Sequence, residues 1–360
     1  MKEPVSRIPA LKAFHALGWP RTLPLNLTVS TLGYCNSKCL TCNIWKNKGT
    51  QDLSLEEWDK TFQSIGDNLF WVTMSGGEPF MRKDLPEMCQ SVCRHCRPGI
   101  INIPTNGILS KAILEKTRKI LESCPDPKII INLSLDGLRE QHDRIRGVPG
   151  NWEKSMETLA GLKELKKEFK NLEIGIHTVI SKHNVKEFPR ICDGLLALEP
   201  DSYITEIAEE RPELGTVGFG LTPSAEEYAA AIDHLLDRLA DRSFKATSKV
   251  TQAFRKRYYA MVKEVLRKRT QAIPCMAGVA SAQINWKGDV WTCCVRAQSM
   301  GNLRDHGYDF PRIWFNAVAD KLRKSIKDKE CFCPLANAAY TTMLCDLKTL
   351  ASVAAEVVIG

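Results

Sequence analysis

An α/β fold is predicted here: a partial (β/α)6, TIM-like barrel followed by a small C-terminal domain containing a β-hairpin. Short β-forming runs alternate with helical stretches from about residue 25 to about residue 207, and such alternation builds parallel βαβ units. The run Lys128 to Leu135 (KIIINLSL) is apolar almost throughout, as in a parallel strand covered on both faces. After residue 207 the alternation stops, and a pair of short β runs brackets the turn Lys287-Gly288-Asp289.

Taken in order, Leu25 to Ser30 reads as the first strand, and Cys35 to Cys42 follows in a loop. Ser54 and Glu57 form a capping-box pattern that opens a helix through about Ile65. Trp71 to Met74 is a strand that ends at Gly76-Gly77, and Asp84 starts the next helix. Asn102 to Pro104 belongs to a third strand, followed by Asn106-Gly107 and a helix from Ser110 to Ser123. The fourth strand is Lys128 to Leu135, and a long helix runs from Asn151 to Phe169. Leu172 to Ile180 and Asp201 to Ile207 are strands five and six, separated by a helix from Asn184 to Leu198. Glu209 to Gly220 reads as a loop, Ser224 to about Arg269 as charged helix, and Ser281–Trp286 with Val290–Cys294 as the hairpin. These divisions suggest an N-terminal extension (1–24), a barrel (25–207), a charged helical insert (208–274) and a cysteine-bearing C-terminal domain (275–360).

The chain has 360 residues, 44% of them apolar, which is enough for a sizeable core and argues against global disorder. The first residues carry no signal-peptide pattern, and no apolar run is long enough to span a bilayer, so a cytoplasmic location without a membrane span is expected. The net charge of +8 is spread along helical stretches and does not demand nucleic acid. Its densest cluster, Arg255-Lys256-Arg257 with Lys263 and Arg267 to Arg269, reads as the solvated face of a helix, or else as a docking face for an acidic partner.

Fourteen cysteines are many for a chain from a reducing compartment, and most fall in tight groups, which points to metal rather than disulfides. Cys35, Cys39 and Cys42 have the spacing C-x3-C-x2-C. Three thiolates on one loop can ligate three irons of a cubane cluster and leave the fourth open, although zinc competes for such spacing. Cys89, Cys93 and Cys96 repeat the spacing inside a predicted helix, where their thiols are spread along the axis and serve packing. Cys124 and Cys192 stand alone and are also assigned to packing. The first triplet sits where strand C-termini build active sites. Gly76-Gly77-Glu78-Pro79, Asn106-Gly107 and Ser134-Leu135-Asp136-Gly137 end the next three strands, as expected for one ligand lying across a barrel mouth. The two glycines are read as allowing backbone to approach a ligand closely.

In this order the cysteine loop, GGEP, Thr105-Asn106-Gly107 and SLDG followed by His142-Asp143 and Arg146-Gly147 resemble the radical S-adenosylmethionine enzymes over residues 25 to 207. Thr41 departs from the aromatic residue many members carry before the last cysteine. The resemblance implies a [4Fe–4S] cluster on Cys35, Cys39 and Cys42. It implies S-adenosylmethionine with its amino group at Gly76, Gly77 and Glu78 and its ribose at Ser134, with Asp136 and Asn106 as further contacts. His177 is a candidate to complete the pocket, or a core histidine. It also implies reductive cleavage of S-adenosylmethionine to a 5′-deoxyadenosyl radical that abstracts a substrate hydrogen atom, with a low-potential donor of the flavodoxin or ferredoxin type.

Cys275, twelve residues, Gly288, four residues and Cys293 match the opening of the C-terminal auxiliary-cluster extensions called SPASM and twitch domains. With too few cysteines left for two clusters, one auxiliary [4Fe–4S] cluster is expected. Its preferred ligands are Cys275, Cys293, Cys331 and Cys333; Cys345 or Cys294 are possible substitutes, and structural zinc is the alternative. The C-terminal unit is thus expected to be a small iron–sulfur domain. Such architecture favours a peptide or protein substrate, even though only about 24 residues precede the first strand. A small metabolite such as a sugar, lipid or cofactor precursor is the second reading, and a non-catalytic iron–sulfur or zinc protein the third.

Overall fold

The computed structural model describes residues 4–47, 51–240 and 249–359. Helix α1 (Ile8–Leu17) precedes strand β1 (Asn26–Ser30). Then follow α2 (Leu55–Ile65), β2 (Trp71–Ser75), α3 (Leu85–Cys96), β3 (Ile100–Thr105), α4 (Ser110–Ser123) and β4 (Lys128–Ser134). A short helix α5 (Glu140–Arg146) and a long α6 (Asn151–Glu168) lead to β5 (Leu172–Ile180), α7 (Phe188–Leu196) and β6 (Ser202–Ile207). Beyond lie α8 (Ala225–Ala240), α9 (Lys249–Lys268), β7 (Ser281–Ile284), β8 (Asp289–Trp291) and β9 (Ser299–Asn302). The chain closes with α10 (Phe310–Trp314), α11 (Ala317–Lys327), α12 (Ala336–Leu344) and α13 (Leu347–Ile359).

Among the described residues, nine strands join one sheet in the order β6-β5-β4-β3-β2-β1-β7-β8-β9. Strands β1 to β6 pair in parallel with their sequence neighbours, and the sheet does not close, so the barrel is partial as predicted. Strand β7 adds in parallel to the free side of β1, and β8 and β9 return antiparallel. The C-terminal hairpin is therefore welded to the first barrel strand by backbone hydrogen bonds. No long-range pairing of this kind is encoded in a local pattern.

Alternation along the strands sorts side chains to two faces. In β3, Ile101, Ile103 and Thr105 are buried, while Asn102 and Pro104 line an interior cavity. Asn132 on β4 shares that inner face and donates to Asn102 Oδ1 at 2.6 Å. Across β5, Gly175 makes room for it, since a Cβ there would sit 1.8 Å from Asn132 Oδ1. The outer face packs against the helices: Trp58 and Phe62 of α2 stack at 5.5 Å and join Val72, Met74 and Met88 in the main apolar core. The capping box of α2 forms as predicted, Ser54 and Glu57 each accepting from the other's backbone N–H.

Several elements escape sequence pattern. Helices α1, α5, α10, α12 and α13 are short or lack strong apolar periodicity. The expected helix from residue 184 begins as a single 3-10 turn and becomes α-helical only at Phe188. The charged stretch 224 to 269 contains two helices, α8 and α9, with residues 241–248 outside the described residues. The expected solvated face on α9 is exposed at Lys256, Arg257 and Arg267 to Arg269 and needs correction at Arg255. Lys256 and Arg257 pair with Glu356 of α13, and Lys268 with Glu264, but Arg255 is 94% buried, with 6% exposure, and lines the interior cavity. Among the described residues no helix is long and apolar enough to cross a membrane.

Candidate functional site: a cysteine loop over an interior cavity

A cavity of about 530 Å³ lies along the inner face of the sheet. Its lining runs from the strand ends (Ser75, Gly76, Gly77, Glu78, Asn106, Ser134, Asp136) to the strand starts (Asn26, Trp71), with Cys35, Cys39 and Cys42 at the first end. The predicted triplet and the predicted strand-end residues thus share one chamber.

The cysteine loop is held by its neighbours. Gly77 N–H donates to the Leu32 carbonyl at 2.8 Å and Glu78 N–H to the Tyr34 carbonyl at 3.2 Å. A Cβ on Gly77 would lie 1.7 Å from the Tyr34 oxygen, so what this glycine approaches is the cysteine loop itself. Gly76 has φ +122°, a conformation that side chains avoid, and a Cβ there would meet the Leu32 oxygen at 2.6 Å. The reading of these glycines as ligand-approach points is corrected to this extent: their closest approach is to protein backbone. On the other side, Lys38 N–H and Leu40 N–H donate to the carbonyls of Arg146 and Ile145 at 3.0 and 2.9 Å, and Gly147 fits where a Cβ would strike the Lys38 oxygen at 2.3 Å.

The donor set suits an iron–sulfur cluster. All three donors are sulfur, and N–H groups point at them: Ser37 N–H to Cys35 at 3.3 Å, Ile44 N–H to Cys42 at 3.5 Å, and Arg146 to Cys39 at 3.8 Å. Burial pushes Cys35 and Cys42 up to about 12, and raises Cys39 as well. Bare thiols here stay protonated at neutral pH, and only a bound metal would make them thiolates.

Other site residues take roles that sequence alone could not assign. Glu78 is fully committed: its carboxylate accepts from Thr105 Oγ1 and Asn106 N–H, both at 2.8 Å, and from Phe80 N–H at 3.2 Å. Burial pushes it up to about 7. It ties the end of β2 to the end of β3. Asn106 donates to Asn36 Oδ1 at 2.7 Å and reaches Cys35 at 3.8 Å, so its side chain serves the cysteine loop. Asp136 is corrected in the same sense. Its carboxylate is 2.9 Å from Arg146 Nε and accepts from Val179 N–H at 2.8 Å, which leaves little for a ribose. Ser134 lines the cavity. His142 is buried and neutral, lowered to about 3 by burial and by Arg146, and its Nδ1 accepts from Asp136 N–H. Asp143 accepts from Gly150 N–H and Trp152 N–H at the start of α6.

The candidate His177 also lines the cavity, and beyond the predicted residues so do Glu206, Glu209, Arg211, Arg255 and Tyr340. His177 faces Glu206 at 3.5 Å, so it is no inert core histidine. Arg211 pairs with Glu209 at 3.2 Å and donates to Cys294 Sγ at 3.5 Å. Burial raises Glu209 to about 6 against the pull of Arg211. Their segment also roofs the cysteine loop, Asn43 N–H donating to the Leu214 carbonyl at 2.9 Å. Arg146 could have been found from its place in the motif order; the charges after β6 had no such signal.

A second chamber is lined by Cys275, Cys293, Cys331 and Cys333, with Ala277, Ile326 and Ala338 around them. Burial raises Cys275 to about 12, with Cys293 and Cys331 adding to the shift. Four converging sulfurs can saturate a cluster, unlike the three of the loop. Cys345 is not among them: it packs with Leu11, Phe14 and Leu25 in a separate apolar cluster, which corrects its assignment as a ligand. Cys294, next to Cys293, turns the other way toward Arg211. Cys89, Cys96, Cys124 and Cys192 are buried among apolar side chains.

Comparisons with known proteins agree with this geometry. Residues 29–195 match the model of the radical SAM superfamily, and residues 275–334 that of the SPASM iron–sulfur cluster-binding domain. The chain is 26% identical over 320 residues to Fe-coproporphyrin III synthase of Methanosarcina barkeri, covering 82% of this chain and 74% of that one. It is 26% identical over 184 residues to PqqA peptide cyclase of Bradyrhizobium diazoefficiens, covering 50% of this chain and 45% of that one. The structure of Streptococcus suis SuiB bound to S-adenosylmethionine superposes with a TM-score of 0.60 at 17% identity, over 84% of this chain and 68% of that one, a likeness of fold. Its cofactors are accordingly S-adenosylmethionine and [4Fe–4S] clusters, and the chain belongs to the radical SAM superfamily, with a C-terminal SPASM domain.

Proposed function

We propose that this radical SAM enzyme acts on a carboxylated cofactor precursor of the tetrapyrrole class. The observation that carries the reading is the extent of likeness. Similarity to the Fe-coproporphyrin III synthase runs through both the barrel and the C-terminal domain, whereas similarity to the peptide cyclase covers half of the chain. In this reading Cys35, Cys39 and Cys42 hold the catalytic cluster, and Cys275, Cys293, Cys331 and Cys333 hold one auxiliary cluster.

When bound at Cys35, Cys39 and Cys42, the cluster with S-adenosylmethionine would supply radical chemistry able to remove a hydrogen atom from an unactivated carbon. The protein's own part is orientation and exclusion of water. In this reading the backbone at Gly76 to Glu78 receives the amino group and Ser134 meets the ribose, as the resemblance implies. Asp136 and Arg146 act on the cysteine loop, and the charges after β6 shape the substrate end. The enzyme is cytoplasmic in this reading and draws electrons from a flavodoxin- or ferredoxin-type donor.

The test is anaerobic turnover of the reconstituted, dithionite-reduced enzyme with iron-bound, carboxylated tetrapyrroles, those from which Fe-coproporphyrin III is made as well as Fe-coproporphyrin III itself, following 5′-deoxyadenosine and the mass of the tetrapyrrole. Formation of both products is expected. An unchanged tetrapyrrole, together with 5′-deoxyadenosine formation stimulated by a peptide, would replace this reading with peptide modification, which the similarity to a peptide cyclase over half of the chain also supports.

A further inference from the structure

The charges that line the interior cavity pair off almost completely. Arg146 faces Asp136 at 2.9 Å, Arg211 faces Glu209 at 3.2 Å, and His177 faces Glu206 at 3.5 Å. Glu78 is occupied by two N–H groups and a hydroxyl. Arg255 is the exception. It is 6% exposed, lines the cavity, and makes no hydrogen bond or ion pair among the described residues. The cations that hold the Glu206 carboxylate down are His177 and Arg211, so Arg255 is not the partner of that acid. A guanidinium out of bulk water and without an anion is costly, and such groups persist where a ligand completes them.

Its surroundings fit that purpose. Arg255 interacts electrostatically with Tyr259 and Tyr340, and the Tyr340 hydroxyl is buried, on the cavity wall and without a hydrogen-bond partner. The Tyr340 ring is fixed by stacking on Tyr258 at 5.1 Å. An unpaired guanidinium and an unpaired hydroxyl therefore line one chamber, one from α9 and one from α12.

The position separates this pair from the cysteine loop. Helix α12 sits against the first half of β1, with Thr341 near Asn26 at 3.3 Å and Asn337 near Thr28 at 3.1 Å. The cysteine loop follows the other end of that strand. At about 3.3 Å per residue, Asn26 and Ser30 are roughly 13 Å apart. S-adenosylmethionine held at the cysteine loop, as the resemblance implies, would keep its own carboxylate at that end.

We propose that Arg255, with the Tyr340 hydroxyl, forms an anion subsite that binds a carboxylate of the substrate at the end of the cavity remote from the cysteine loop. The assignment of that carboxylate to a tetrapyrrole rests on the function proposed above; the anion subsite itself does not. A planar guanidinium takes a carboxylate in a two-pronged contact and an adjacent phenol adds a third donor.

The experiment is an anaerobic absorbance titration of the cluster-loaded enzyme with Fe-coproporphyrin III and with its tetramethyl ester, using iron content as the folding control. Wild type is expected to bind the acid roughly 10- to 100-fold more tightly than the ester, the range of a charged, bidentate contact. Arg255→Gln is expected to lose that preference by weakening the acid alone, and Arg255→Lys to keep part of it. An Arg255→Gln protein that still prefers the acid overturns the subsite. Should Arg255→Gln lose its iron, the Arg255→Lys protein is read in its place, and an undiminished preference there overturns the subsite. If wild type binds neither porphyrin, the tetrapyrrole reading fails and crystals soaked in sodium bromide decide the subsite. An anomalous bromide peak between Arg255 and Tyr340 keeps it, and no peak there overturns it.

Discussion

Cys35, Cys39 and Cys42 have the same spacing as Cys89, Cys93 and Cys96, but the first set lies on a loop after β1 and the second on α3. On the loop, the chain path is dictated from outside, by carbonyls of Leu32 and Tyr34 held by Gly77 and Glu78 and by N–H groups of Lys38 and Leu40 held by α5. Three sulfurs then face one cavity. On the helix, the path is dictated by its own hydrogen bonds, and the sulfurs meet other parts of the core. Cys96 donates to the Phe62 carbonyl at 3.6 Å, Cys93 interacts with Cys124, and Cys89 is wholly buried. Cysteine spacing is thus a statement about sequence distance, and only backbone geometry turns it into a coordination sphere.

The largest expected effect is on iron. Replacing Cys35, Cys39 and Cys42 together by alanine should lower the content from about eight to about four atoms per chain, since the auxiliary site fills independently. 5′-Deoxyadenosine should fall to background. The same triple change at Cys89, Cys93 and Cys96 should leave the iron of the folded fraction unchanged. Iron loss from the folded α3 variant would break the distinction between loop and helix.

Next comes Gly77→Ala, which tests whether outside support shapes the loop. Its Cβ would lie 1.7 Å from the Tyr34 oxygen, an overlap relieved only by moving the loop. Displacing a reacting group by about 1 Å can cost on the order of 100-fold. A fall of at least tenfold in 5′-deoxyadenosine formation is expected, with the auxiliary iron retained. Wild-type activity in this variant would mean that the loop holds its shape unaided.

The contrast also marks what could be read from sequence. Strands β1 to β6 were legible because buried parallel strands are short apolar runs between turn residues, and that pattern is local. The union of β7 with β1 was not, because it depends on pairing across some 250 residues of chain. Within the site, the cysteine loop and the strand-end motifs were legible as residues but less so as roles. Asp136 and Glu78 looked like ligand contacts and are spent on Arg146, Thr105 and Asn106. Arg255 was hidden in a run of charges. A signal existed: at helical spacing it falls on the same stripe as Tyr258, Tyr259 and Val262, all buried.

A smaller effect is expected for Cys89→Ala. The side chain is fully buried next to apolar groups, so its removal leaves a small cavity worth about 1 to 2 kcal/mol. A lower anaerobic melting temperature with unchanged iron and unchanged 5′-deoxyadenosine is expected. This separates a packing thiol from a ligand in a single sample.

The smallest effect concerns Asp59, which pins α3, the helix that carries the second triplet, to α2. Its Oδ1 accepts from Ser91 Oγ at 2.6 Å and lies 3.1 Å from His95 Nε2. The Ser91 contact, followed by that of His95, holds the carboxyl below its usual value of 3.8 in spite of partial burial. A carboxylate lowered in the folded state adds stability above its unfolded value and loses it as pH falls through the folded one. Asp59→Asn should therefore lower the melting temperature by about 2 °C, in keeping with an exposed charge-assisted contact of about 1 kcal/mol. The deficit should persist from pH 8 to pH 5, because the carboxylate is ionised throughout that range. A deficit that vanishes between those pH values would give the stabilisation to another group. A loss of iron in this variant would mean that the position of α3 matters to the clusters after all.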